Sequence, residues 1–285
     1  KRNLHDSLAL IKILSNLKAS SRTTSNPSLM AQVNVFYDFE TTSGSHSDPD
    51  SHVISIGACT SEQEMEEVFI NRIESNYLIV QADAAVIHGI TTDILRSTPG
   101  AMNRRDAFVT FIEWLRGLGP NVRMFAHSSR GVEEHYLVRE LSEEGLDLPE
   151  NVKILADSLY LAQFDVKAKQ LGCTDCKLDS LALWLHTKNH RHEGLHGALV
   201  DAKTLMEVVQ KLLKIRDISP KYTDNWASCK DRINQRNTKS TEVKGKRKAE
   251  YNSSSDNEYI KSLKYRIQLL ESENAELRAK LSITI

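Results

Sequence analysis

The sequence predicts an α/β protein in which helices flank a mixed five-stranded sheet, with a separate C-terminal coiled-coil helix. Two observations predict the sheet. Short apolar segments come first along the chain, and further segments of this kind then alternate with amphipathic stretches of helical length. A third observation predicts the C-terminal helix, because apolar residues there recur at alternating spacings of three and four.

The predicted elements of the main domain follow one another from residue 32 to residue 213. Strands are predicted where apolar residues alternate with polar ones or form short continuous runs. They lie at 33–37, 53–56, 67–73, 122–126 and 152–156. Helices are predicted where one face repeats an apolar residue every three or four positions, at 106–115, 131–144, 157–164, 177–187 and 196–213. A domain of this length can bury a substantial core.

Two segments flank this domain. Residues 1–31 are expected to form a marginal helix followed by a polar linker. Residues 214–257 are expected to form a flexible basic linker, because 214–250 contains 11 Lys/Arg and 5 Asp/Glu. The basic run from Lys244 to Lys248 is interpreted as a nuclear-import signal, a nonspecific nucleic-acid contact or simply solvated surface.

The C-terminal segment 258–282 has the pattern of a short coiled coil. Asn274 occupies one seam position, and a buried asparagine that meets its own copy favours a parallel two-stranded register. Residues flanking the seam carry opposite charges across such an interface. We therefore expect a parallel homodimer, while a solitary amphipathic helix remains the alternative. The seam consists of Ile260, Leu263, Ile267, Leu270, Asn274, Leu277 and Leu281.

Composition and charge narrow the class of protein. The net charge of −1 predicts no strongly basic surface overall, although a local basic rim could still bind phosphates. No apolar run is long enough to predict a membrane span, and no signal-peptide pattern occurs at the start. The expectation is a soluble intracellular protein, nuclear if the basic run is an import signal and cytoplasmic otherwise. The pair Cys173 and Cys176 is interpreted as a surface loop in preference to a zinc site.

Asp38 and Glu40 directly follow the first predicted strand. Alternation along a strand directs both carboxylates to one face, with Phe39 turned toward the core. Two adjacent carboxylates repel each other unless a proton or a cation intervenes, and their hard oxygen ligands suit Mg²⁺ or Mn²⁺. A solvated acidic strand end is the alternative interpretation.

A second pair of residues adds to this one. His196 and Asp201 lie on neighbouring turns at the start of the last predicted helix. In this arrangement the carboxylate could hold a metal ion while the imidazole reaches a water molecule near it. The spacing of this pair is weak evidence alone, but its combination with Asp38 and Glu40 indicates a metal-dependent hydrolytic site.

At this point residues 32–213 resemble the DEDDh 3′→5′ exonucleases, the DnaQ-like branch of the ribonuclease-H-like fold. The resemblance rests on short phrases that occur in the order typical of the family. They are 35–42 with 53–57, then 87–91, 157–159, and 196–202 preceded by 178–181.

The resemblance implies hydrolysis of the terminal phosphodiester at a 3′ end of DNA or RNA, with two Mg²⁺ or Mn²⁺ ions. It implies that Asp38 contacts both ions, that Glu40 and Asp201 hold the first, and that His196 takes a proton from the attacking water. It also implies four substrate-binding residues, which are Thr41, Thr42, His88 and Ser128.

The fifth position of the family pattern departs from expectation. The family usually has a histidine–asparagine pair here, followed by an aspartate four residues before a leucine. In this chain Ser128 replaces the asparagine, and Glu133 occupies the position of the aspartate, with Glu134 as the neighbouring candidate. Two interpretations follow, a working site in which Glu133 is a metal ligand with a longer arm, or a degenerate domain that binds nucleic acid or recruits partners without cleavage.

Overall fold

The computed structural model describes residues 32–43, 48, 50–188, 196–216, 220–221 and 223–236. The chain divides into two units, Lys1–Lys230 and Asp231–Ile285. Of the second unit the structure describes residues 231–236, which are helical. The predicted N-terminal extension, basic run and coiled coil therefore lie outside the described residues.

A mixed sheet of eight strands runs through the first unit. The strands are β1 (Val33–Thr41), β2 (Val53–Cys59), β3 (Val68–Ile73), β4 (Asn76–Tyr77), β5 (Met102–Asn103), β6 (Val122–Ala126), β7 (Val152–Asp157) and β8 (Thr223–Asp224). Their order is β4-β3-β2-β1-β6-β7-β8, and β5 pairs with β3. β1 pairs antiparallel with β2 and parallel with β6, so the strand that ends in the predicted carboxylates is central.

Helices connect and cover these strands. They are α1 (Ala82–His88), α2 (Thr92–Ser97), α3 (Arg104–Arg116), α4 (Glu133–Glu143), α5 (Ser158–Tyr160), α6 (Leu178–Trp184) and α7 (Ala198–Arg216). A π-helix, Leu161–Val166, and a 3-10 helix, Ala168–Leu171, follow α5, and residues 226–236 are also helical. Among the described residues, no helix combines the length and the apolar character that a membrane span requires.

Side chains of β1 are buried on both faces of the sheet. On one face Phe36 stacks on Phe125 with ring centroids 5.6 Å apart, in the core that also includes residues of α7. On the other face Phe39 packs edge-on against Phe108 and Phe111 of α3. Each fully buried aromatic side chain stabilises the fold by roughly 1.5–3 kcal/mol. By alternation, Asp38 and Glu40 lie on the Phe36 face, toward α7.

Short polar motifs define several helix ends. The side chain of Asn103 accepts a hydrogen bond from Asp106 N (2.9 Å) and so caps the start of α3. α1 ends at Gly89, whose φ of 75° is a left-handed conformation that glycine adopts without strain. This left-handed end turns the chain directly from α1 toward α2.

The structure confirms the mixed α/β sheet with flanking helices and corrects the number of strands. The five predicted strands correspond to β1, β2, β3, β6 and β7, while β4, β5 and β8 have two residues each and are too short to produce a periodic pattern. α1 and α2, with seven and six residues, are likewise too short to repeat an apolar face and were not predicted. β8 and the helix at 226–236 fall within the expected linker 214–257, so this part of it is ordered structure.

Candidate active site

Three carboxylates meet where β1 ends beside the start of α7. Asp38, Glu40 and Asp201 each offer an oxygen, and these oxygens all lie within 4.8 Å of one another. Glu40 and Asp201 are buried, and Asp38 is half-buried. Carboxylates held this close repel one another, and a divalent cation removes that repulsion because its preferred ligands are hard oxygens. The trio therefore fits a Mg²⁺ or Mn²⁺ site.

A close approach of α7 to β2 brings Asp201 to β1. Gly57 of β2 pairs with Asp38, and a Cβ atom at Gly57 would lie 2.0 Å from the backbone nitrogen of Leu199. Only glycine leaves room for the first turn of α7 at this point of the sheet. Gly57 belonged to one of the recognised sequence phrases, and its role in positioning Asp201 is visible only in the fold.

His196 is held against the trio. Its Nδ1 lies 3.1 Å from Asp201 Oδ2, and its backbone nitrogen donates to Ile87 O at 3.2 Å. Because an ionised carboxylate only accepts hydrogen bonds, this contact assigns the proton to Nδ1 and leaves the lone pair on Nε2. The side chain is 36% exposed. His196 is thus oriented as a base that solvent or a substrate can reach.

His88 connects α1 to the end of β1. Its Nε2 lies 3.1 Å from Thr41 O, and its Nδ1 accepts a hydrogen bond from Ile90 N at 3.1 Å. Burial lowers the pKa of His88, and the proximity of His196 lowers this pKa further. His88 is therefore a neutral residue with both nitrogens used inside the protein, and its predicted contact with a nucleotide stays a prediction.

The other predicted substrate-binding residues surround the same strand end. Thr42 is buried, and its backbone N donates to His52 O at 2.8 Å. Thr41 Oγ1 donates to Ser43 O at 2.7 Å. Ser128 has a left-handed φ of 62° and donates its N–H to Asp157 Oδ1 at 3.1 Å. These bonds shape the backbone around the site, and the contacts of these residues with a nucleotide stay predictions.

Glu133 belongs to a second acidic cluster, which we define as Glu133, Glu134 and Asp157. Burial, followed by the charges of Asp157 and Glu134, raises the pKa of Glu133 from its ordinary 4.5 to about 8. Among the residues that the structure describes, Glu133 is not a member of the group formed by Asp38, Glu40 and Asp201. Of the four predicted metal ligands, the structure thus brings Asp38, Glu40 and Asp201 together and leaves Glu133 outside this group.

Local donors stabilise the second cluster. Asp157 accepts hydrogen bonds from the backbone N–H groups of Ser128, Arg130 and Leu159 at 2.8–3.1 Å. Burial raises the pKa of Asp157, although the backbone bonds from Arg130 and Leu159 oppose the change. Glu134 accepts from the hydroxyl of Ser129 at 3.0 Å and from the thiol of Cys229 at 3.4 Å. Sequence reasoning noticed Asp157 only as part of a phrase, although an aspartate between a strand and a helix is a typical N-cap.

A third group of possible ligands needs no cation. His52, Glu140 and Glu143 also offer ligand atoms within 4.8 Å of one another. The guanidinium of Arg104 lies 3.2 Å from Glu140 and 2.5 Å from Glu143, and it also contacts Glu144 at 2.6 Å. Because this arginine already offsets the negative charge, the group is an ion-pair network that joins α3 to α4.

A groove of about 690 Å³ lies away from the carboxylates. It is formed by the C-terminal half of α3 and the loop 145–151. β1, β6 and β7 run in the same direction, because β6 is parallel to both of the other strands. The loop precedes the start of β7, whereas the carboxylate trio lies at the end of β1, so the two are at opposite edges of the sheet. The groove is therefore not part of the candidate active site.

The family model for exonucleases of the RNase T type matches residues 35–209, which is more than half of the chain. The chain belongs to this exonuclease family. The resemblance to DEDDh exonucleases with a ribonuclease-H-like fold is thereby confirmed, and this family depends on divalent metal ions. No curated protein sequence matches the chain at a significant level.

Solved structures share the fold at low sequence identity. A 3′-exonuclease bound to the histone mRNA stem-loop is 14% identical with a TM-score of 0.52, covering 76% of this chain and 72% of its own. The nuclease domain of 3′hExo, a DEDDh family member bound to rAMP, is 15% identical with a TM-score of 0.51. This match covers 64% of this chain and 92% of that chain. A zinc-bound complex of E. coli ExoI with single-stranded DNA is 17% identical with a TM-score of 0.51, covering 65% of this chain. The match covers 41% of that E. coli chain.

Proposed function

We propose that this protein is a 3′→5′ exonuclease that releases nucleotides from the 3′ ends of DNA or RNA by phosphodiester hydrolysis with two Mg²⁺ or Mn²⁺ ions. One observation supports this above all. The carboxylate oxygens of Asp38, Glu40 and Asp201 converge within 4.8 Å, and His196 is bonded to Asp201 at their edge. A base beside a metal-binding trio is a combination that can catalyse hydrolysis of a phosphodiester.

The proposed ligands are this trio together with Glu133. Asp38 would contact both ions, Glu40 and Asp201 would hold the first, and Glu133 would complete the set. When bound, divalent ions lower the pKa of water and offset the charge that develops on the leaving 3′ oxygen. Because Glu133 lies among Glu134 and Asp157, its membership requires that its carboxyl lose a proton on binding the ions.

The chain's own residues account for the movement of the proton. His196 Nε2, which carries the lone pair, would accept a proton from the attacking water. The contact from Nδ1 to Asp201 Oδ2 holds the ring in this tautomer and stabilises the imidazolium that results. The proposed roles of Thr41, Thr42, His88 and Ser128 are to shape the pocket for the terminal nucleotide through the backbone that they fix.

The choice of nucleic acid stays open between DNA and RNA. Among the solved structures with this fold, the E. coli protein is in complex with single-stranded DNA, and the others involve rAMP or an mRNA stem-loop. Discrimination against DNA depends on contacts to the 2′-hydroxyl. We therefore propose either polymer as substrate, with matched DNA and RNA strands as the deciding comparison.

The direct test uses purified protein with Mn²⁺ and a 5′-labelled single strand of DNA or RNA. The proposal expects stepwise shortening from the 3′ end, no reaction with a blocked 3′ end, and a loss of about 10³-fold or more for Asp38→Asn. Wild-type protein that is as inert as Asp38→Asn on every strand would overturn the proposal.

The second candidate function is a nucleic-acid-binding or partner-recruiting module without cleavage. The position of Glu133 outside the trio favours it, because the family pattern places a ligand there. The cleavage assay described above distinguishes the two candidates, and in an active protein Glu133→Ala and Glu133→Asp then test whether Glu133 is a ligand. If Glu133 is a ligand, the alanine variant loses activity and the aspartate variant retains much of it, whereas a fully active alanine variant refutes the assignment.

We also propose that two copies of the chain associate as a parallel dimer through residues 258–282. The support is the apolar seam with Asn274 and the opposite charges that flank it. Deletion of the chain after Ser255 should convert a dimer to a monomer in light scattering. An unchanged mass would contradict this proposal without affecting the nuclease proposal.

A further inference from the structure

An exposed aromatic side chain lies between two arginines at one edge of the sheet. Tyr77 of β4 is 53% exposed, and the guanidinium of Arg96 lies 5.3 Å from its ring centroid. Arg72 of β3 is the direct cross-strand partner of Tyr77, so both side chains lie on the same side of the strand pair. We name Arg72, Tyr77 and Arg96 the Tyr77 platform.

Neither arginine of the platform is neutralised by a described neighbour. Both are exposed, and within the described part of the chain no carboxylate forms an ion pair with either. Glu74 and Asp93 are the nearest acidic residues in sequence, and neither is paired with an arginine of the platform. Single-stranded nucleic acids are bound by this combination of chemical groups, because bases stack on exposed rings and arginines contact phosphates.

The topology places the platform at the same edge of the sheet as the carboxylates. β2 is antiparallel to β1, and β3 is antiparallel to β2, so β3 runs in the direction of β1. Arg72, near the end of β3, therefore lies at the edge of the sheet where β1 ends in Asp38 and Glu40. Its side chain is on the opposite face, because Glu40 pairs with Ser55 and Ser55 with Phe69, three residues before Arg72. With three strand spacings from β4 to β1, the separation across the sheet is roughly 14 Å.

A short extended segment connects the platform to the site. Exposure alternates along it, with Tyr77, Ile79 and Gln81 exposed while Leu78 and Val80 are buried. Gln81 N donates to Thr42 O at 2.8 Å, directly beside the proposed active site. The four residue-to-residue steps from Tyr77 to Gln81 span at most about 14 Å. Ile79, 70% exposed, thus lies on a continuous outward stripe between the platform and the strand end.

We propose that the Tyr77 platform binds the substrate strand upstream of the 3′ end that is cut, with a base stacked on Tyr77 and phosphates against Arg72 and Arg96. The inference rests on the proposed exonuclease function and specifies its substrate as a single strand. A stacked strand rises about 3.4 Å per nucleotide, so the platform contacts the strand about four nucleotides from its end. Stacking does not depend on base identity, so the platform increases affinity without selecting sequence.

Binding is measured first, without turnover, by fluorescence anisotropy of labelled oligo(dT) and oligo(U) in EDTA. Tyr77→Ala should weaken binding about fivefold to about a hundredfold, the range expected for loss of one stacked base. Tyr77→Phe should bind as wild type, because stacking uses the ring and not the hydroxyl. Arg96→Ala should weaken binding and reduce its dependence on salt concentration. Arg116→Ala is the matched control, since Arg116 is an exposed arginine paired with Glu113 on α3.

A cleavage assay then tests the distance between the platform and the active site. Tyr77→Ala should slow removal of nucleotides from a long strand and leave the cleavage of a dinucleotide unchanged, because a dinucleotide is too short to reach the platform. Equal affinity of wild type and Tyr77→Ala would overturn the inference, and so would an equal effect on short and long strands. A wild type that binds strands but never shortens them contradicts the exonuclease proposal alone, and anisotropy then still decides on the platform. A wild type that binds no strand overturns the platform.

Discussion

Tyr37 and Asp38 are neighbours on β1 that point to opposite faces of the sheet, and each faces an acidic cluster. Asp38 belongs with Glu40 and Asp201 on the side of α7. Tyr37 faces the cluster of Glu133, Glu134 and Asp157, and burial together with the charges of Glu134 and Glu133 raises its pKa well above the ordinary value. One strand thus separates two groups of carboxylates that the sequence does not distinguish by residue type.

The two clusters differ in access to solvent. In the first, Asp38 is half-buried and the His196 side chain is 36% exposed, so ions and substrate can reach it. The second is closed by comparison, because all of its members are buried, with Glu133, Glu134 and Asp157 8%, 1% and 2% exposed. An accessible cluster can relieve its repulsion by exchanging a cation with solvent, whereas a closed one depends on protons and fixed donors. Similar chemical groups therefore lie in an accessible site on one side of β1 and in a buried cluster on the other.

The largest expected effect is a loss of cleavage activity that occurs when the first cluster is changed and not when Glu134 of the second is changed. Glu40→Gln should reduce cleavage by about 10²–10³-fold or more, because it removes a charged ligand of the trio. In metal-free buffer it should leave the melting temperature unchanged or higher, since it relieves repulsion between carboxylates. The matched control is Glu134→Gln in the closed cluster, which should keep activity within a few-fold. An equal loss in both variants would contradict the separation.

The next effect concerns the contact that assembles the trio. Gly57→Ala should destabilise the fold by about 3 kcal/mol or more, because the new Cβ would meet the backbone of α7 rather than a flexible side chain. Denaturant unfolding measures this loss. Gly117→Ala is the control, since its Cβ would meet Trp114 O at an ordinary 3.4 Å and should cost less than about 1 kcal/mol. Equal stability of the two variants would show that α7 does not require the close approach.

A somewhat smaller effect is expected in the closed cluster. Asp157→Ala should lower the free energy of unfolding by about 2–3 kcal/mol, because the backbone N–H groups of Ser128, Arg130 and Leu159 lose their acceptor. Asp157→Asn keeps one acceptor oxygen and removes a charge next to Glu133, so it should lose less. If the alanine variant were as stable as wild type, the loop 127–131 would not depend on this carboxylate.

The smallest effect is a pH dependence of stability due to Glu133. Below pH 4.5 its carboxyl is neutral in both the folded and the unfolded chain, so it contributes no penalty. As pH rises from 4.5 through about 8, the unfolded chain ionises first and stability falls, with the full penalty present above about pH 8. Glu133→Gln removes this penalty, so without metal it should be more stable than wild type near pH 9 and equally stable near pH 4.

The measurement is thermal unfolding in EDTA at both pH values. A stability difference that does not change with pH would contradict the assignment of Glu133 to the closed cluster. The affinity for Mn²⁺ gives an independent result, because a ligand that must lose a proton makes metal binding strongly pH-dependent. If Glu133→Gln binds Mn²⁺ as wild type does, Glu133 is a structural residue and not a ligand.

Some features of the fold and site were predictable because they are local. The apolar run that ends in Asp38 and Glu40 specifies a buried strand with two carboxylates on one face, and the structure has this arrangement. The spacing of His196 and Asp201 at a helix start likewise specifies adjacent side chains, which lie 3.1 Å apart. β4 and β8 were missed because two residues contain no period, and their pairing is decided by distant strands.

By itself the sequence determined the order of the longer strands and helices, the family, and the residues proposed to hold a metal and move a proton. Only the tertiary structure decided which carboxylates meet. Glu133 matches the family position in sequence, yet the fold places it beside Glu134 and Asp157 and outside the group of Asp38, Glu40 and Asp201. The neighbours of Tyr77 were likewise decided by the tertiary structure, which brings Arg72 of β3 and Arg96 of α2 next to its ring. The physical reason is that periodicity sets the direction of a side chain within its own element, whereas its neighbours depend on pairing and packing between distant segments.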